Sequence, residues 1–149
     1  MVSNISGTYV LILKLAKLQS IKIGKLGTYK FNKGYYGYIG SAFGPGGLRA
    51  RIRHHLRKSR NPHWHVDYIR RRSSPVQIWW SPARTRREHD WAAAMGKLSG
   101  ALQVIKGFGA SDCNCFSHLF HFEQMPKFAT FNKIIKDAGF EAAINTVHL

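Results

Sequence analysis

Three groups of residues in this 149-residue chain are of types and spacings that do chemistry. Arg51 and His55 stand four positions apart, so on a helix they stack on one face, and a guanidinium fork fits phosphate oxygens. Glu88 is one of only seven acids. With Thr85 it makes a capping-box pattern, yet it shares the face of Trp91, Ala92 and Met95 and so points inward, where an unpaired carboxylate is costly. A metal or Arg51 would relieve that cost. The third group is Asp112, Cys113, Cys115 and His118, within seven residues, with His63 and His65 offering two more nitrogens. Thiolates and imidazoles bind Zn²⁺, but the spacing is no standard zinc pattern and buried free cysteines are common. Structural zinc at Cys113, Cys115 and His118 is therefore the minor reading. A histidine satisfied by a backbone carbonyl is the commoner fate of His63 or His65 alone.

The elements that must position these groups are legible from periodicity. Gly7 to Leu13 is β-rich, Ser20 to Ile23 and Thr28 to Phe31 alternate, and Tyr35 to Ser41 is a further strand; the short connections suggest an antiparallel meander. After the Gly44-Pro45-Gly46-Gly47 turn, residues 48–57 have helical spacing with Leu48, Ile52 and Leu56 on the inner face. A second helix is expected from Asn61-Pro62, with Asn61 as cap, then a strand over Pro75 to Trp80. A third helix opens at the Thr85 capping box, with Trp91, Ala92, Met95 and Leu98 inside. A tight turn at Gly107 to Gly109 precedes an alternating run from His118 to Phe122. A last helix over 127–138, with Phe128, Phe131, Ile134 and Ile135 inside, ends at Gly139. Strands first and helices later predict an α+β fold, a small antiparallel β-sheet flanked by helices, in one domain spanning 1–149.

Composition narrows the partners. Hydrophobic residues make up 44% and charged residues 20%, which is a folding composition. The 23 Lys and Arg give a formal charge of +16, and such an imbalance points to a polyanion. Twelve of those bases lie between Arg49 and Arg87, where Asp67 is the only acid. Arg49, Arg53 and Arg57 form an outer stripe on the first helix, which Lys58, Arg70, Arg84 and Arg86 extend as candidate nucleic-acid contacts. A membrane surface fits poorly, because the basic helix carries only three large apolar residues and no aromatic on that face. The apolar run near the N-terminus is cut by Lys14 and Lys17 and reads as neither signal peptide nor membrane span. The two cysteines, separated by one residue, are too close for an unstrained disulfide, so the expected compartment is the reducing cytoplasm, with nucleoid association as the alternative.

In this order, Gly7-Thr8-Tyr9, Tyr38-Ile39-Gly40, Gly47-Leu48-Arg49-Ala50-Arg51 and His55 resemble the GIY-YIG nuclease superfamily. The fuller pattern adds Ser41-Ala42, His63-Trp64-His65-Val66-Asp67-Tyr68, Glu88, and Gly107 to Cys113 through Ser117-His118-Leu119-Phe120. It is similar to the small stand-alone branch called Uri-type endonucleases, over residues 7 to about 122. The resemblance implies a small antiparallel sheet flanked by helices and hydrolysis of phosphodiesters with one divalent metal, Mg²⁺ or Mn²⁺. It matches Tyr9 to the tyrosine that takes a proton from the attacking water and Tyr38 to the one that positions that water and the phosphate. Arg51 would neutralise developing phosphate charge, His55 is the functional residue one turn later, and Glu88 is the metal-binding carboxylate. The chain departs from the pattern at Thr8, where the family has Ile, in an extra hairpin over Ser20 to Phe31, and in lacking a match to the family's late asparagine. The Gly107 to Gly109 turn is expected to bring Asp112 and His118 near the catalytic edge. Metal-dependent cleavage of DNA, with RNA as a further candidate, is the leading expectation; a binding module that keeps the fold without the chemistry is its rival.

Overall fold

The computed structural model describes residues 4–58, 61–109, 115–140 and 143–149. Strand β1 (Gly7–Leu15) is its axis. The run GTYVLILKL shows no alternation of polar and apolar residues, as suits a strand covered on both faces, and all of it except Lys14 is buried. It pairs antiparallel with β4 (Gly34–Ala42) on one side and β5 (Ser74–Pro82) on the other. Beyond β4 come β7 (Leu119–Phe122) and the two-residue β6 (Leu102–Gln103), and beyond β5 comes β8 (Asn145–His148). The sheet order is therefore β6-β7-β4-β1-β5-β8, with every pairing antiparallel.

The expected meander does not form. β2 (Gln19–Ile23) and β3 (Gly27–Phe31) pair only with each other, as a separate two-stranded sheet, and β1 passes over them to pair with β4. The extra hairpin thus leaves the main sheet, and its apolar residues Ile21, Ile23 and Phe31 pack onto one face of it.

Side chains alternate across β1, so its two faces build two cores. Tyr9, Leu11, Leu13 and Leu15 join Tyr36, Tyr38 and Trp80 beneath the hairpin, helix α1 (Gly47–Leu56) and helix α2 (His65–Arg70). Val10 and Ile12 join Ile39, Trp79 and Phe120 beneath α3 (Glu88–Gly96) and α4 (Phe128–Asp137). The fold is α+β, as expected, with helices on both faces.

Three local expectations need correction. The inner stripe of α1 is Leu48, Ile52 and His55, whereas Leu56 is 37% exposed. Positions 48, 52 and 55 are spaced four and three apart and so lie on one helical face, which carries the imidazole into the core. Helix α2 begins at His65, three residues past Pro62, because the Asp67 carboxylate accepts the backbone N–H groups of His63 and Trp64 and so caps the helix there. The Thr85 capping box is absent: α3 opens at Glu88 behind Arg87, whose side chain makes no capping hydrogen bond. Leu98 lies just past the end of α3 but is still buried.

Candidate active site

Tyr9 and Tyr38 meet because of strand register. Tyr9 pairs across β4 with Gly40, and Tyr38 pairs with Leu11, so the two tyrosines are diagonal neighbours on one face, 6.3 Å between ring centroids. Gly40 makes this approach feasible, since a Cβ there would lie 2.5 Å from the Tyr9 hydroxyl. Helix α1 then lays His55 over both rings. The Tyr9 hydroxyl and His55 Nε2 are 2.6 Å apart, and the His55 ring is 5.3 Å from that of Tyr9 and 6.2 Å from that of Tyr38.

Behind His55 stands Asp67. Its Oδ1 is 3.7 Å from His55 Nδ1, beyond hydrogen-bond length, and its Oδ2 accepts from His54 Nε2 at 3.0 Å as well as from two backbone N–H groups. Burial opposes ionisation of Asp67, but the neighbouring histidines and backbone N–H groups outweigh it and hold the carboxyl well below the usual carboxylate range. Burial lowers His55, helped by Arg51 and His54 and opposed by Asp67, so the imidazole is neutral near pH 7. A neutral His55 that accepts the Tyr9 proton on Nε2 carries its own proton on Nδ1, facing Asp67. His54, His55 and Asp67 are also close enough to hold a metal ion, the one such group among the described residues. The hydrogen bonds already made by Asp67 Oδ2 account for that geometry.

A cleft of about 330 Å³ opens beside this network, lined by Tyr38, Ser41, Arg51, Trp64, Glu88 and His118, with His63, His65, Arg86 and Gly109 completing its wall. Arg51 is clamped: its Nη1 donates to the Ser41 carbonyl at 2.9 Å, and its guanidinium lies 4.0 Å over the Trp64 ring. Tyr38 faces the cleft, its hydroxyl pushed up to about 12 by burial, with Glu88 and Asp67 adding and Arg51 opposing. Tyr9 is wholly buried and does not line the cleft. Its hydroxyl is raised far above the ordinary tyrosine value by burial and by Tyr38, against the pull of Arg51.

Glu88 enters from the first turn of α3, with Oε1 3.9 Å from Arg86 Nη1 and Oε2 4.0 Å from His118 Nδ1. His118 is 1% exposed, and neither ring nitrogen has a hydrogen-bond partner among the described residues. Burial lowers its basicity, helped by His89 and opposed by Glu88 and the Gly109 backbone. The Gly107 to Gly109 turn brings His118 here: the Phe108 carbonyl accepts the His118 N–H, and the Gly109 N–H donates to His65 Nδ1 at 2.9 Å. Gly109, at φ +65°, is also the residue against which Tyr38 rests, since a Cβ there would lie 2.7 Å from the ring.

The remaining candidates separate. Arg49, Arg53, Arg57, Lys58, Arg84 and Arg86 are exposed. Arg70 is not a surface contact, contrary to expectation: it is 7% exposed and donates to the carbonyls of His55, Leu56 and Ser73 at 2.7 to 3.0 Å. It ties the C-terminus of α1 to α2, where a cation suits the helix dipole. Cys115 Sγ lies 3.4 Å from His89 Nδ1, and no three-ligand group among the described residues joins it to His118. Asp112 and Cys113 lie outside the described residues. Residue pattern alone does not single out Asp67 or His54 as part of the site. A signal was present all the same: Asp67 is the lone acid amid twelve bases, four residues past His63.

No helix among the described residues is long and apolar enough to cross a membrane. A family model described as "Domain of unknown function DUF123" matches residues 8–140. Neither the curated proteins nor the solved structures contain a match.

Proposed function

The chain belongs to the DUF123 family, and from its cleft we propose that it is a metal-dependent endonuclease that hydrolyses DNA phosphodiester bonds, working on DNA in the cytoplasm. One observation carries the reading: Tyr38 of β4, Arg51 of α1 and Glu88 of the distant α3 line a single cleft, with the hydrogen-bonded Tyr9 and His55 packed directly behind. This is the residue set that the resemblance to GIY-YIG nucleases singles out.

Each side chain then has a role its surroundings allow. Arg51, held in place by Ser41 and Trp64, offers a fixed guanidinium to phosphate charge as it develops. Tyr38 stays protonated near pH 7 and so orients water or phosphate by hydrogen bonding rather than as a base. Tyr9 packs behind the cleft without lining it, so a water that it deprotonates has to reach it from the cleft; its own hydroxyl proton then passes to His55 Nε2, which the neutral imidazole can accept. The imidazolium so formed faces the ionised Asp67. The Glu88 carboxylate, with no cation closer than 3.9 Å among the described residues, fits a divalent ion such as Mg²⁺ or Mn²⁺. Such an ion, when bound, supplies Lewis-acid stabilisation of the phosphate oxygens. The exposed arginines of α1, with Arg84 and Arg86, hold the backbone of the polyanion.

The direct test incubates the protein with Mg²⁺ or Mn²⁺ and supercoiled, branched and flapped DNA, and with RNA in a parallel series. Nicking by wild type that Glu88→Ala abolishes is the expected result. Tight, salt-sensitive binding with no cleavage above the Glu88→Ala level would instead favour the non-catalytic module.

A further inference from the structure

We propose that His118 is a second protein ligand to the divalent metal at Glu88, so that the cleft favours a transition-metal ion such as Mn²⁺ over Mg²⁺. The inference rests on the endonuclease reading for the presence of a metal at Glu88, and goes beyond it in naming a ligand and the class of ion.

The geometry begins with the backbone. The His118 N–H donates to the Phe108 carbonyl at 2.9 Å, and the His118 carbonyl accepts from the Ile39 N–H at 3.0 Å, so the residue is anchored on both sides between the glycine turn and β4. Its ring is 1% exposed, and neither nitrogen makes a hydrogen bond of good geometry among the described residues, although the Gly109 backbone lies near enough to favour the protonated ring. Buried polar atoms are seldom left in that condition, and a bound ion is one of the few explanations for those that are. Nδ1 faces Glu88 Oε2 across 4.0 Å. That gap is too wide for a hydrogen bond, while two metal bonds of about 2.1 Å each reach across it. Glu88 and His118 both line the cleft that Arg51 and Tyr38 also line, where a phosphate oxygen and waters can complete the coordination. Glu88 by itself offers hard oxygen, which suits Mg²⁺; adding an imidazole nitrogen shifts preference toward first-row transition metals.

The test uses Mn²⁺ as the probe on the full chain. Electron paramagnetic resonance counts bound Mn²⁺, Mg²⁺ competition gives the selectivity, and spin-echo modulation reports any directly bound nitrogen. One Mn²⁺ per chain, showing ¹⁴N coupling in the wild type, is expected. His118→Gln should remove that coupling and weaken Mn²⁺ by about tenfold or more while changing Mg²⁺ far less. Absence of ¹⁴N coupling in wild-type protein overturns the proposal without recourse to a variant, as does a His118→Gln protein of unchanged Mn²⁺ to Mg²⁺ preference. If Glu88→Gln abolishes binding and ¹⁴N coupling is absent, His118 is not a ligand but the endonuclease reading stands. If Glu88→Gln binds Mn²⁺ as wild type does, or wild type binds none, the metal assignment fails and the proposal with it.

Discussion

The Tyr9 hydroxyl and His55 Nε2 lie 2.6 Å apart, although 46 residues separate them in the chain. Neither group reaches solvent, so each is the other's main polar partner, and the pair is the hinge between the sheet and α1. Tyr9→Phe keeps the ring and its packing but leaves His55 Nε2 unpaired in the core. A loss of about 1–3 kcal/mol in urea-unfolding stability is expected. On the endonuclease reading, cleavage by the folded variant falls by about 10²- to 10⁴-fold, measured as single-turnover nicking.

Asp67 and His55 set the acid limb of the stability curve. The folded Asp67 titrates below its ordinary 3.8, so its contribution is full above that value and is lost as pH falls beneath it. The folded His55 titrates below its ordinary 6.5, so its contribution is present above 6.5 and declines as pH falls beneath that. Wild-type stability should therefore drop in two stages on acidification, and Asp67→Asn should remove the lower one. Urea unfolding at pH values from 7 down to 2 separates the stages, the upper beginning below 6.5 and the lower below 3.8.

Gly40 is where the sheet makes room for Tyr9. A methyl group at this position meets the hydroxyl at 2.5 Å and ring carbon Cζ at 2.6 Å, and Tyr9 has no free space to retreat into. Gly40→Ala should cost about 1–3 kcal/mol by overpacking. In a double-mutant cycle with Tyr9→Leu the two changes should be strongly non-additive, because the smaller side chain removes the clash. Additive losses would show that the glycine serves the strand and not the tyrosine.

The basic residues divide into two kinds that binding experiments tell apart. Replacing Arg49, Arg53 and Arg57 together by Gln should leave stability within about 0.5 kcal/mol for each exposed site. It should reduce the slope of log affinity for DNA against log salt by about one for each phosphate that is no longer neutralised. Arg70→Met should do the reverse. Three backbone carbonyls are deprived of a charged donor, so about 2–4 kcal/mol of stability goes, while the salt slope of the folded protein is unchanged.

Much of this molecule was legible before folding was considered. Alternation and helical spacing located most of the strands and helices, since those periods are local properties of the backbone. The concentration of charge around Arg51 and Glu88 was visible by position alone. Local pattern could not say that β1 would bypass the neighbouring hairpin to pair with β4, because pairing depends on which apolar faces can be covered together, and it is this choice that sets Tyr9 opposite Gly40. Nor could it separate one arginine from another. Arg49 and Arg70 look alike in a basic run, but one is exposed and the other buried, a difference decided by where α2 docks against the end of α1. The same docking turned Asp67, the lone acid of the basic stretch, into the anion behind His55. Residue types determined what chemistry was available to this protein; the packing of α1 and α2 on the β1–β4 register decided which of those groups meet, because burial and cross-strand contact are properties of the assembled sheet and not of any segment within it.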